Sequence, residues 1–377
     1  MRKIAVITGT RADFGLFAPV LKQIIAHPKL ELHLIVTGMH LSEEFGYTIN
    51  EIKQQGFDIA DEINILEKED TSVAMSQAVG NAVLGLTKSF DKIKPDLVLV
   101  LGDRGEMLAA AITAAYMNIA IAHLHGGEIS GTVDDLTRNA ITKFASIHLP
   151  ATQQSKNRII SMNEKAERIY VVGAPGLDPI YAGEYASKEV VSKELGLDPN
   201  EKLILVVQHP NTFEVDDSEQ QIKETLEAIS KLKTQTVLVY PNSDAGGRAM
   251  IRMIQKYEKL PFLKTFKNIS RDHYLGVLAM ASVMIGNSSS AIIEAPALGI
   301  SVVNIGTRQR NRERADYIID VDYNQKEIIN AVEVSITKEH QEIVKKSVNP
   351  YGKGNSSKKI VEILANIKLD KEIIEKI

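Results

Sequence analysis

Short polar segments follow the β-branched runs of this 377-residue sequence, and their residue types suit the binding of an anionic ligand. The segments are residues 9–15, 37–40, 102–106, 123–128, 208–211, 241–244, 286–290 and 306–310. Ordinary turn chemistry would be enough to explain any single segment of this kind. In open parallel α/β sheets, however, ligands bind beyond the carboxyl ends of the strands. The recurrence therefore predicts a ligand held in a cleft between two halves of the chain.

Residues 286–294, Gly-Asn-Ser-Ser-Ser-Ala-Ile-Ile-Glu, predict a diphosphate site where a strand ends and a helix begins. The first N–H groups of a helix and its dipole attract phosphate. Ser288 and Ser289 are the candidate contacts there. Glu294 would repel phosphate, so we expect it to accept hydrogen bonds from ribose hydroxyls. The alternative is that a serine caps this helix and binds no ligand.

Three arginines are candidates to match the charge of the diphosphate, namely Arg11, Arg104 and Arg308. Each lies in a strand-end segment that contains glycine. A guanidinium can bind two oxygen atoms of a phosphate at once. A surface salt bridge is the alternative interpretation for any one of them.

Several kinds of chemistry are excluded or disfavoured. The absence of cysteine excludes disulfides, thiolate zinc sites, iron–sulfur clusters and a cysteine nucleophile. Residues 9–15 lack the G-x-G-x-x-G spacing and no P-loop motif occurs, which argues against dinucleotide oxidation and NTPase chemistry. His123 and His125 alternate on an extended segment and would face opposite ways. We therefore expect no metal and no other cofactor.

The composition is that of an ordinary globular protein. Hydrophobic residues make up 44% of the chain and charged residues 24%, which allows a large core. The net charge of -4 gives no general attraction to nucleic acid. The sequence has no run of about 18 uncharged apolar residues that could span a membrane. The apolar run at residues 4–8 is too short for a signal peptide, so we expect a cytoplasmic location.

Alternating strand and helix patterns predict the elements that position these residues, and they indicate βα units around parallel sheets. The predicted strands are residues 3–8, 31–36, 97–101, 120–123, 169–172, 203–208, 234–240, 283–286 and 301–305. The predicted helices include residues 16–27, 73–93, 106–117, 218–232 and 356–367.

The length of 377 residues predicts two or three domains, since a domain holds roughly 100 to 200 residues. Proline and glycine at residues 173–176 mark a boundary, and a second break at 349–355 precedes the last helix. The predicted fold class is α/β, with doubly wound, Rossmann-like parallel-sheet domains at 1–175 and 176–355. Residues 356–377 form the C-terminal helix.

Five motifs together carry a family resemblance. They are the segments 8–15, 123–128, 130–135, 286–289 and 306–309. Their residues resemble those of the hydrolysing UDP-N-acetylglucosamine 2-epimerases over nearly the whole chain. The resemblance implies a GT-B architecture with an interdomain cleft and a C-terminal helix that packs back on the first domain. It also implies a reaction without metal or nicotinamide, in which UDP is eliminated to a glycal and water then gives N-acetylmannosamine for sialic acid synthesis.

The resemblance also implies roles for individual residues. It assigns substrate contacts to Arg11, Asp13, His40, Arg104, His209, Ile269, Ser288, Ser289, Glu294 and Arg308, with the uracil near residues 268–270. It places Asp103, Glu128, Asp134 and His209 in the catalytic region.

One position departs from the family pattern. Sialic acid members usually read His-x-Glu-Gly-Gly-Glu, whereas this chain has His125 at the third place. Relatives with histidine there occur in pathways to other nonulosonic acids such as legionaminic acid. Their substrate is a 2,4-diacetamido-trideoxy sugar linked to UDP or GDP. The sugar and the proton-transfer roles therefore both stay open.

The implied elimination needs a positioned base and a stabilised leaving group. A general acid or base contributes roughly 10²- to 10⁴-fold to the rate, and two shielded carboxyl groups can hold different protonation states. The candidates are Asp103, His125, Glu128, Asp134 and His209. Structural alternatives exist, because Asp134 could cap a helix and Asp103 could close a turn.

Other functions fit parts of the same pattern. A non-hydrolysing epimerase would keep the nucleotide on the sugar, and a GT-B glycosyltransferase would need an acceptor. A nucleotide-sugar-binding regulator would bind without turnover. The resemblance suggests a homodimer or homotetramer, with a UDP-sugar and UDP as the small-molecule partners.

Overall fold

The computed structural model describes residues 1–67, 69, 71–130, 133–242 and 244–376, and the chain folds into two compact units. The N-terminal unit contains Met1–Glu128, Val133–Asp178 and Tyr351–Ile377, and the C-terminal unit contains Ile129–Thr132 and Pro179–Pro350. The chain thus leaves the first unit a few residues after the predicted boundary at 175. It returns a few residues before the predicted boundary at 356.

Six parallel strands form the sheet of the N-terminal unit, in the order β3-β2-β1-β4-β5-β6. They are β1 (Arg2–Thr8), β2 (Leu30–Thr37), β3 (Ile59–Ile63), β4 (Leu97–Leu101), β5 (Ala120–Leu124) and β6 (Ile147–Leu149). All five residues of β4 are buried, because helices cover both faces of a doubly wound sheet. The strand order reverses between β1 and β4, which is where such sheets bind ligands.

The helices of this part of the chain each follow a strand of the sheet. They are α1 (Arg11–Ala26), α2 (Ile49–Gln54), α3 (Ser72–Ile93), α4 (Gly105–Tyr116), α5 (Val133–Phe144) and α6 (Gln153–Ser161), followed by α7 (Asp178–Ala182), where the chain enters the second unit. Within the described residues, no helix is both long enough and apolar enough to cross a bilayer.

The predicted strand at 169–172 is wrong. In the structure Ile169 makes only one isolated parallel bridge, to His148. The neighbouring strand β6 has three residues and is followed by Pro150. The backbone N–H of Val172 still donates to the carbonyl oxygen of Pro150, at 3.0 Å. Proline has no N–H to return a bond, so a regular ladder does not form.

The C-terminal unit repeats the same sheet topology, with the strand order β12-β11-β10-β7-β8-β9. The strands are β7 (Leu203–Val207), β8 (Gln235–Val239), β9 (Leu263–Phe266), β10 (Val283–Gly286), β11 (Ser301–Ile305) and β12 (Ile319–Val321). All pairs are parallel. The order reverses between β7 and β10, where predicted segments 208–211 and 286–290 begin.

The helices of the C-terminal unit flank this sheet, and two more follow in the part of the chain that returns to the N-terminal unit. They are α8 (Lys188–Leu195), α9 (Ser218–Leu232), α10 (Gly247–Gln255), α11 (Arg271–Met280), α12 (Ser289–Ile293), α13 (Gln325–Ser335), α14 (Lys338–Lys346), α15 (Ser356–Asn366) and α16 (Lys371–Glu375).

Helix α15 packs into the core of the N-terminal unit. Its residues Ile360, Val361 and Leu364 are buried in the same apolar cluster as β1 and α1. The carboxylate of Asp178 accepts hydrogen bonds from the backbone N–H of Ser356, at 2.9 Å, and of Ser357, at 2.7 Å. These bonds satisfy the first N–H groups of the helix.

Candidate functional site

The predicted site residues fall into two groups, one in each unit. The N-terminal group contains Arg11, Asp13, His40, Asp103, Arg104, His125, Glu128 and Asp134. The C-terminal group contains His209, Ile269, Ser288, Ser289, Glu294 and Arg308. Gly131 and Thr132 of the predicted 130–135 motif, and Ser243 of the 241–244 segment, lie outside the described residues.

Asp13 closes the loop after β1. Its carboxylate accepts hydrogen bonds from the backbone N–H of Thr10, at 2.9 Å, and from the hydroxyl groups of Thr10 and Thr8. It also accepts from the backbone N–H of Gly9, at 3.3 Å. Because Asp13 binds these N–H groups, it stabilises the start of α1 as a capping box. A direct contact between Asp13 and substrate stays a prediction.

His40 lies beneath the same loop and is neutral. Its Nδ1 lies 2.7 Å from the hydroxyl oxygen of Thr48, and its Nε2 lies 3.1 Å from the hydroxyl oxygen of Thr8. Burial lowers the pKa of His40 to about 4 and raises the pKa of Asp13 to about 6. The buried chain Thr48–His40–Thr8–Asp13 therefore fixes the shape of the loop that carries Arg11.

The two predicted phosphate-binding arginines of this unit both contact carboxylates. Arg11 Nη2 lies 2.5 Å from Oε2 of Glu51 on α2, and Arg104 Nε lies 3.4 Å from Oε2 of Glu106 on α4. Glu51 and Glu106 were not among the predicted site residues. The salt-bridge alternative therefore applies to both arginines in this structure, and phosphate binding by them stays a prediction.

The position of Glu106 also explains why two residues in the loops after β1 and β2 are glycines. A Cβ on Gly9 would lie 2.7 Å from Glu106 Oε1. A Cβ on Gly38, whose φ is +59°, would lie 2.8 Å from the carbonyl oxygen of Gly9 and 2.9 Å from Glu106 Oε1. Both loops therefore approach α4 so closely that side chains are excluded.

We expect Gly38→Ala to destabilise the protein by roughly 2 to 4 kcal/mol, because left-handed backbone and overpacking act together. Gly56→Ala is the matched control, since Gly56 also has a positive φ, +80°, but an added Cβ there has no neighbour within 4 Å. Denaturant unfolding of both variants checks this. Equal losses for the two variants would contradict the packing around Glu106.

The acid–base candidates lie at the carboxyl ends of β4 and β5. His125 Nδ1 lies 2.6 Å from Glu128 Oε1, and both side chains are buried, with 5% and 2% of their surfaces exposed. His125 has a left-handed φ of +58°, which is uncommon for a residue with a side chain and occurs often at functional sites. Because a carboxylate accepts the Nδ1 proton, this arrangement leaves Nε2 as the basic nitrogen.

The two glycines between His125 and Glu128 make this compact turn possible. A Cβ on Gly126 would lie 2.9 Å from Nδ1 of His123, and Gly127 has a φ of +77° and packs against the backbone of Ser155. The turn therefore brings His125 and Glu128 together only with small residues between them.

Arg138 joins the acid–base group and was missed by the sequence analysis. It lies on α5, and its buried guanidinium pairs with the carboxylate of Asp103 and with Asp135 Oδ1, the latter at 2.6 Å. Its Nη1 also donates to the carbonyl oxygen of Glu128 at 2.9 Å. Burial tends to lower the pKa of Arg138, but the carboxylates of Asp103, Asp135 and Asp134 outweigh it and raise that pKa. Asp103 is thus held by a cation.

His123, on β5, lies beneath Asp103 and is neutral. Its Nε2 donates to the carbonyl oxygen of Gly102 at 2.8 Å, and Nδ1 lies 3.2 Å from the hydroxyl of Thr142. Burial lowers the pKa of His123 to about 3. His123 and His125 have separate partners, but His125 lies beyond the end of β5 in left-handed backbone, so the predicted alternation on one extended segment does not apply to it. Among the described residues, no three His, Asp or Glu side chains are grouped so that they could hold a metal ion.

A pH dependence of stability follows from His123. Its folded pKa of about 3 lies below its unfolded value of 6.5, so the unfolded chain binds the extra proton and stability falls as pH drops below 6.5. The loss should be on the order of 3 kcal/mol by about pH 4. We expect His123→Gln to lose less stability than the wild type in this window, measured by denaturant unfolding. Between pH 7 and 8, where His123 is neutral in both states, the two slopes should match; identical slopes at acidic pH would contradict the prediction.

Asn287 organises the group in the C-terminal unit. Its Oδ1 accepts from the backbone N–H of His209 at 2.7 Å, and its Nδ2 donates to the His209 carbonyl at 2.9 Å. The Asn287 carbonyl accepts from Arg308 Nη1, at 3.2 Å, and from Gln309 Nε2, at 3.1 Å. Asn287 therefore ties the loops after β7, β10 and β11 together. Its role is one that strand-end patterns alone did not reveal.

The tautomer of His209 follows from a backbone contact. The N–H of Asn242 donates to His209 Nδ1 at 3.1 Å, so the neutral ring carries its proton on Nε2. This tautomer is suited to donate a hydrogen bond to an oxygen atom of a ligand.

The predicted diphosphate helix is short. Helix α12 has five residues and continues as a 3-10 turn at Ala295–Leu298. The Ser288 hydroxyl caps it by accepting from the backbone N–H of Ser290 at 3.3 Å, as the capping alternative proposed. A short helix has a weak dipole. The hydroxyl groups and Arg308 must therefore supply most of any attraction for phosphate.

Glu294 has two partners in its own unit. Its Oε1 pairs with the guanidinium of Arg271 and its Oε2 accepts from the hydroxyl of Ser290. The hydroxyl of Tyr274 in turn donates to Ser290 Oγ at 2.7 Å, and burial raises the pKa of Tyr274. Arg271 was another omission of the sequence analysis. Ile269, just before α11, is partly buried against the apolar cluster of this sheet.

Known proteins resemble this chain in sequence. The family model for UDP-N-acetylglucosamine 2-epimerase matches residues 22–365. The chain is 42% identical over 376 residues to a Legionella pneumophila protein named UDP-N,N'-diacetylbacillosamine 2-epimerase (hydrolyzing), covering 100% of this chain and 99% of that protein. It is 37% identical over 333 residues to the UDP-N-acetylglucosamine 2-epimerase of Neisseria meningitidis serogroup B, covering 88% of this chain and 87% of that protein.

A solved structure supports the fold. The crystal structure of UDP-GlcNAc 2-epimerase from Neisseria meningitidis bound to UDP-GlcNAc has a TM-score of 0.83 at 20% identity, covering 97% of this chain and 100% of that one. The predicted α/β architecture of two Rossmann-like, GT-B-like domains is thereby confirmed. The recognition of the family from its five motifs is also confirmed. This chain belongs to the UDP-N-acetylglucosamine 2-epimerase family of enzymes.

Proposed function

We propose that this enzyme is a hydrolysing 2-epimerase and that its sugar is a UDP-linked 2,4-diacetamido-trideoxy sugar, UDP-N,N'-diacetylbacillosamine. The observation that carries the proposal is the identity of 42% over the full chain to the Legionella pneumophila protein of that name. His125 supports it, because this residue departs from the glutamate of the sialic acid pattern. The main sequence-based interpretation, UDP-N-acetylglucosamine converted to N-acetylmannosamine, has weaker support, from a relative at 37% identity.

The proposed reaction has two stages. In the first, a base takes the proton from C2, the C1–O bond breaks with its electron pair leaving on UDP, and a C1=C2 double bond forms. In the second, water adds its oxygen to C1 and a proton is returned to the opposite face of C2. The products are UDP and a free 2-epimeric sugar, so one water is consumed.

We assign the proton transfers to the N-terminal group. Asp103 and the buried His125–Glu128 pair, at the ends of adjacent strands, provide two separate titratable centres. Two centres are what removal and return of a proton on opposite faces require. Asp134, in the first turn of α5, is a further candidate for the same chemistry.

We assign the leaving group to the C-terminal group. His209 offers a neutral Nε2–H, Ser288 and Ser289 offer hydroxyls, and Arg308 offers a guanidinium beside Asn287. Preorganised donors of this kind stabilise the charge that develops on a departing diphosphate. We propose that Arg11 and Arg104 of the N-terminal unit contribute to the same ligand. The homodimer or homotetramer, the cytoplasmic location and the absence of cofactors stay predictions.

A substrate panel in heavy water tests the proposal. UDP-N,N'-diacetylbacillosamine, its GDP analogue and UDP-N-acetylglucosamine are each incubated with the enzyme, and products are followed by NMR and nucleotide chromatography. We expect release of UDP and a free 2-epimeric diacetamido sugar with deuterium at C2, with the highest kcat/KM for the first substrate.

Other outcomes identify the rival functions. A higher kcat/KM for UDP-N-acetylglucosamine would support the sialic acid interpretation. A higher kcat/KM for the GDP analogue would show that the nucleotide of the substrate is GDP. An epimer that keeps its nucleotide indicates a non-hydrolysing epimerase. Turnover only with an acceptor indicates a glycosyltransferase, and tight binding without turnover indicates a regulator.

A further inference from the structure

Arg138 is the most deeply buried charged residue of the acid–base group. Its side chain has 1% of its surface exposed, and it is among the largest fully buried side chains of the described chain. A buried guanidinium is costly unless its donors are paired. Its position therefore requires specific partners.

Three segments supply those partners. Asp103 follows β4, the carbonyl of Glu128 belongs to the turn after β5, and Asp135 lies in the first turn of α5, one helical turn before Arg138. The guanidinium thus joins both loops that carry proposed proton-transfer groups. Its planar, rigid set of donors suits such a bridge, because each N–H has a fixed direction.

We propose that Arg138 is a positioning residue that holds Asp103 as a carboxylate and confines it to accepting the C2 proton. This inference rests on the proposed function. In the step concerned, the C2–H proton moves to the Asp103 carboxylate, the C1–O bond breaks, and its electron pair leaves with the nucleoside diphosphate. The His125–Glu128 pair then remains as the group that returns a proton.

The charges around Asp103 agree with this assignment. On α5, Asp135 contacts Arg138, and Asp134 is near enough to interact with it electrostatically. On β5, His123 is neutral and offers no compensating charge. Arg104 follows Asp103 in the chain but pairs with Glu106. The Arg138 guanidinium is a buried cation in direct contact with Asp103, and such a contact stabilises the ionised form of a carboxyl group.

A double-mutant cycle tests whether Arg138 acts through Asp103. The variants are Arg138→Met, Asp103→Asn and the double variant, with Arg138→Lys as the conservative change. If Arg138 acts through Asp103, Arg138→Met should lower kcat by roughly 10²-fold or more with a much smaller change in KM. Adding it to Asp103→Asn should cost nothing further, because the group it positions is already inactive. Arg138→Lys should retain part of kcat, since an ammonium keeps the charge but not the three-way bridge.

Two further readouts distinguish positioning from a merely structural role. The acid limb of the kcat–pH profile should move to higher pH in Arg138→Met, because Asp103 loses its cation. The kinetic isotope effect with C2-deuterated substrate should rise, because proton removal becomes slower. A general loss of structure would change neither.

Arg158→Met is the matched control. Arg158, on α6, also donates to the turn after β5, from Nη1 to the carbonyl of Gly127 at 2.9 Å, but its hydrogen bonds go to Gly127 and Gln154 and not to Asp103. It should keep the wild-type pH profile and isotope effect. The proposal would be overturned if the two substitutions multiplied their losses of kcat in the double variant. It would also be overturned if Arg138→Met had the same pH profile and isotope effect as Arg158→Met.

The same cycle measured by thermal unfolding needs no substrate. Arg138→Met leaves a partly buried carboxylate without its cation and should lower the melting temperature, and Asp103→Asn should restore part of it in the double variant. If the wild type turns over none of the sugar nucleotides, the proposed function fails while this coupling can still hold. If the unfolding effects of the two substitutions simply add, the proposal fails whatever the substrate is.

Discussion

Glu128→Gln should lower kcat by roughly 10²- to 10⁴-fold, the usual contribution of a general acid or base. Glu128 Oε1 lies 2.6 Å from His125 Nδ1, and both groups are buried. A glutamine keeps the shape and can still accept from Nδ1, but it cannot hold the negative charge that makes the imidazole basic. The variant should fold normally and bind UDP much as the wild type does, because Glu128 is not among the proposed diphosphate contacts.

Glu164→Gln is the matched control for that variant. Glu164 Oε2 lies 3.2 Å from Nε2 of the buried His148, so it too belongs to a buried His–Glu pair of the N-terminal unit. Its other partners are Lys143 and Lys376, and none of these residues is a proposed site residue. Steady-state kinetics and thermal unfolding should show a change in stability for Glu164→Gln and a change in kcat for Glu128→Gln. A Glu128→Gln enzyme with wild-type kcat would remove the pair from the mechanism.

The central strands could be predicted from sequence because they are buried on both faces. A strand such as Leu97–Leu101 is an unbroken apolar run, and such runs are typical of doubly wound sheets. The four strands that were missed are β3, β6, β9 and β12, which lie at the four sheet edges. Three of them, β3, β9 and β12, are only partly buried. Edge strands need less apolar sequence, so their signal is weak.

The sequence analysis named candidate residues that follow strands and missed the residues on helices that contact them. Asp103, His125 and His209 all follow strands, whereas Arg138 is on α5 and Arg271 begins α11. A sequence signal for Arg138 did exist, because Asp135 and Arg138 are three residues apart and face each other on a helix. Such pairs are common on solvated helix faces, and only the burial of Arg138 and its contact with Asp103 connect it to the candidate site.

The pairing of the site side chains could not be predicted, because it depends on contacts between residues distant in sequence. Arg11 meets Glu51 and Asp13 caps its own loop, so residue types that suit phosphate are partly engaged within the protein. No local pattern distinguishes a guanidinium that is paired from one that awaits a ligand, since both lie in polar loops. The tautomers of His123 and His209 likewise depend on backbone groups of other loops.

Gly286→Ala should destabilise the C-terminal unit by roughly 3 kcal/mol or more, from backbone strain and overpacking together. Gly286 has a φ of +124°, and a Cβ there would overlap the carbonyl of Val207, lying 2.7 Å from its carbon atom. Both strands are central in their sheet, so neither backbone can move away without breaking the ladder that pairs Gly286 with Val207. A loss of this size corresponds to a fall in melting temperature of roughly 6 to 12 °C.

The same substitution should weaken UDP binding, because Asn287 follows Gly286 and holds both His209 and Arg308. Gly299→Ala is the matched control, since Gly299 has a φ of +67° in the same unit but no atom within 4 Å of an added Cβ. Calorimetric titration with UDP, made below the melting temperature of each variant, separates the two effects. Weaker binding by a folded Gly286→Ala protein, with Gly299→Ala unchanged, would place the diphosphate beside Asn287. Unchanged UDP affinity in both variants would place the nucleotide elsewhere in the chain. The substitution shifts the end of β10, and the loops that Asn287 joins would then lose the geometry that the proposed site needs.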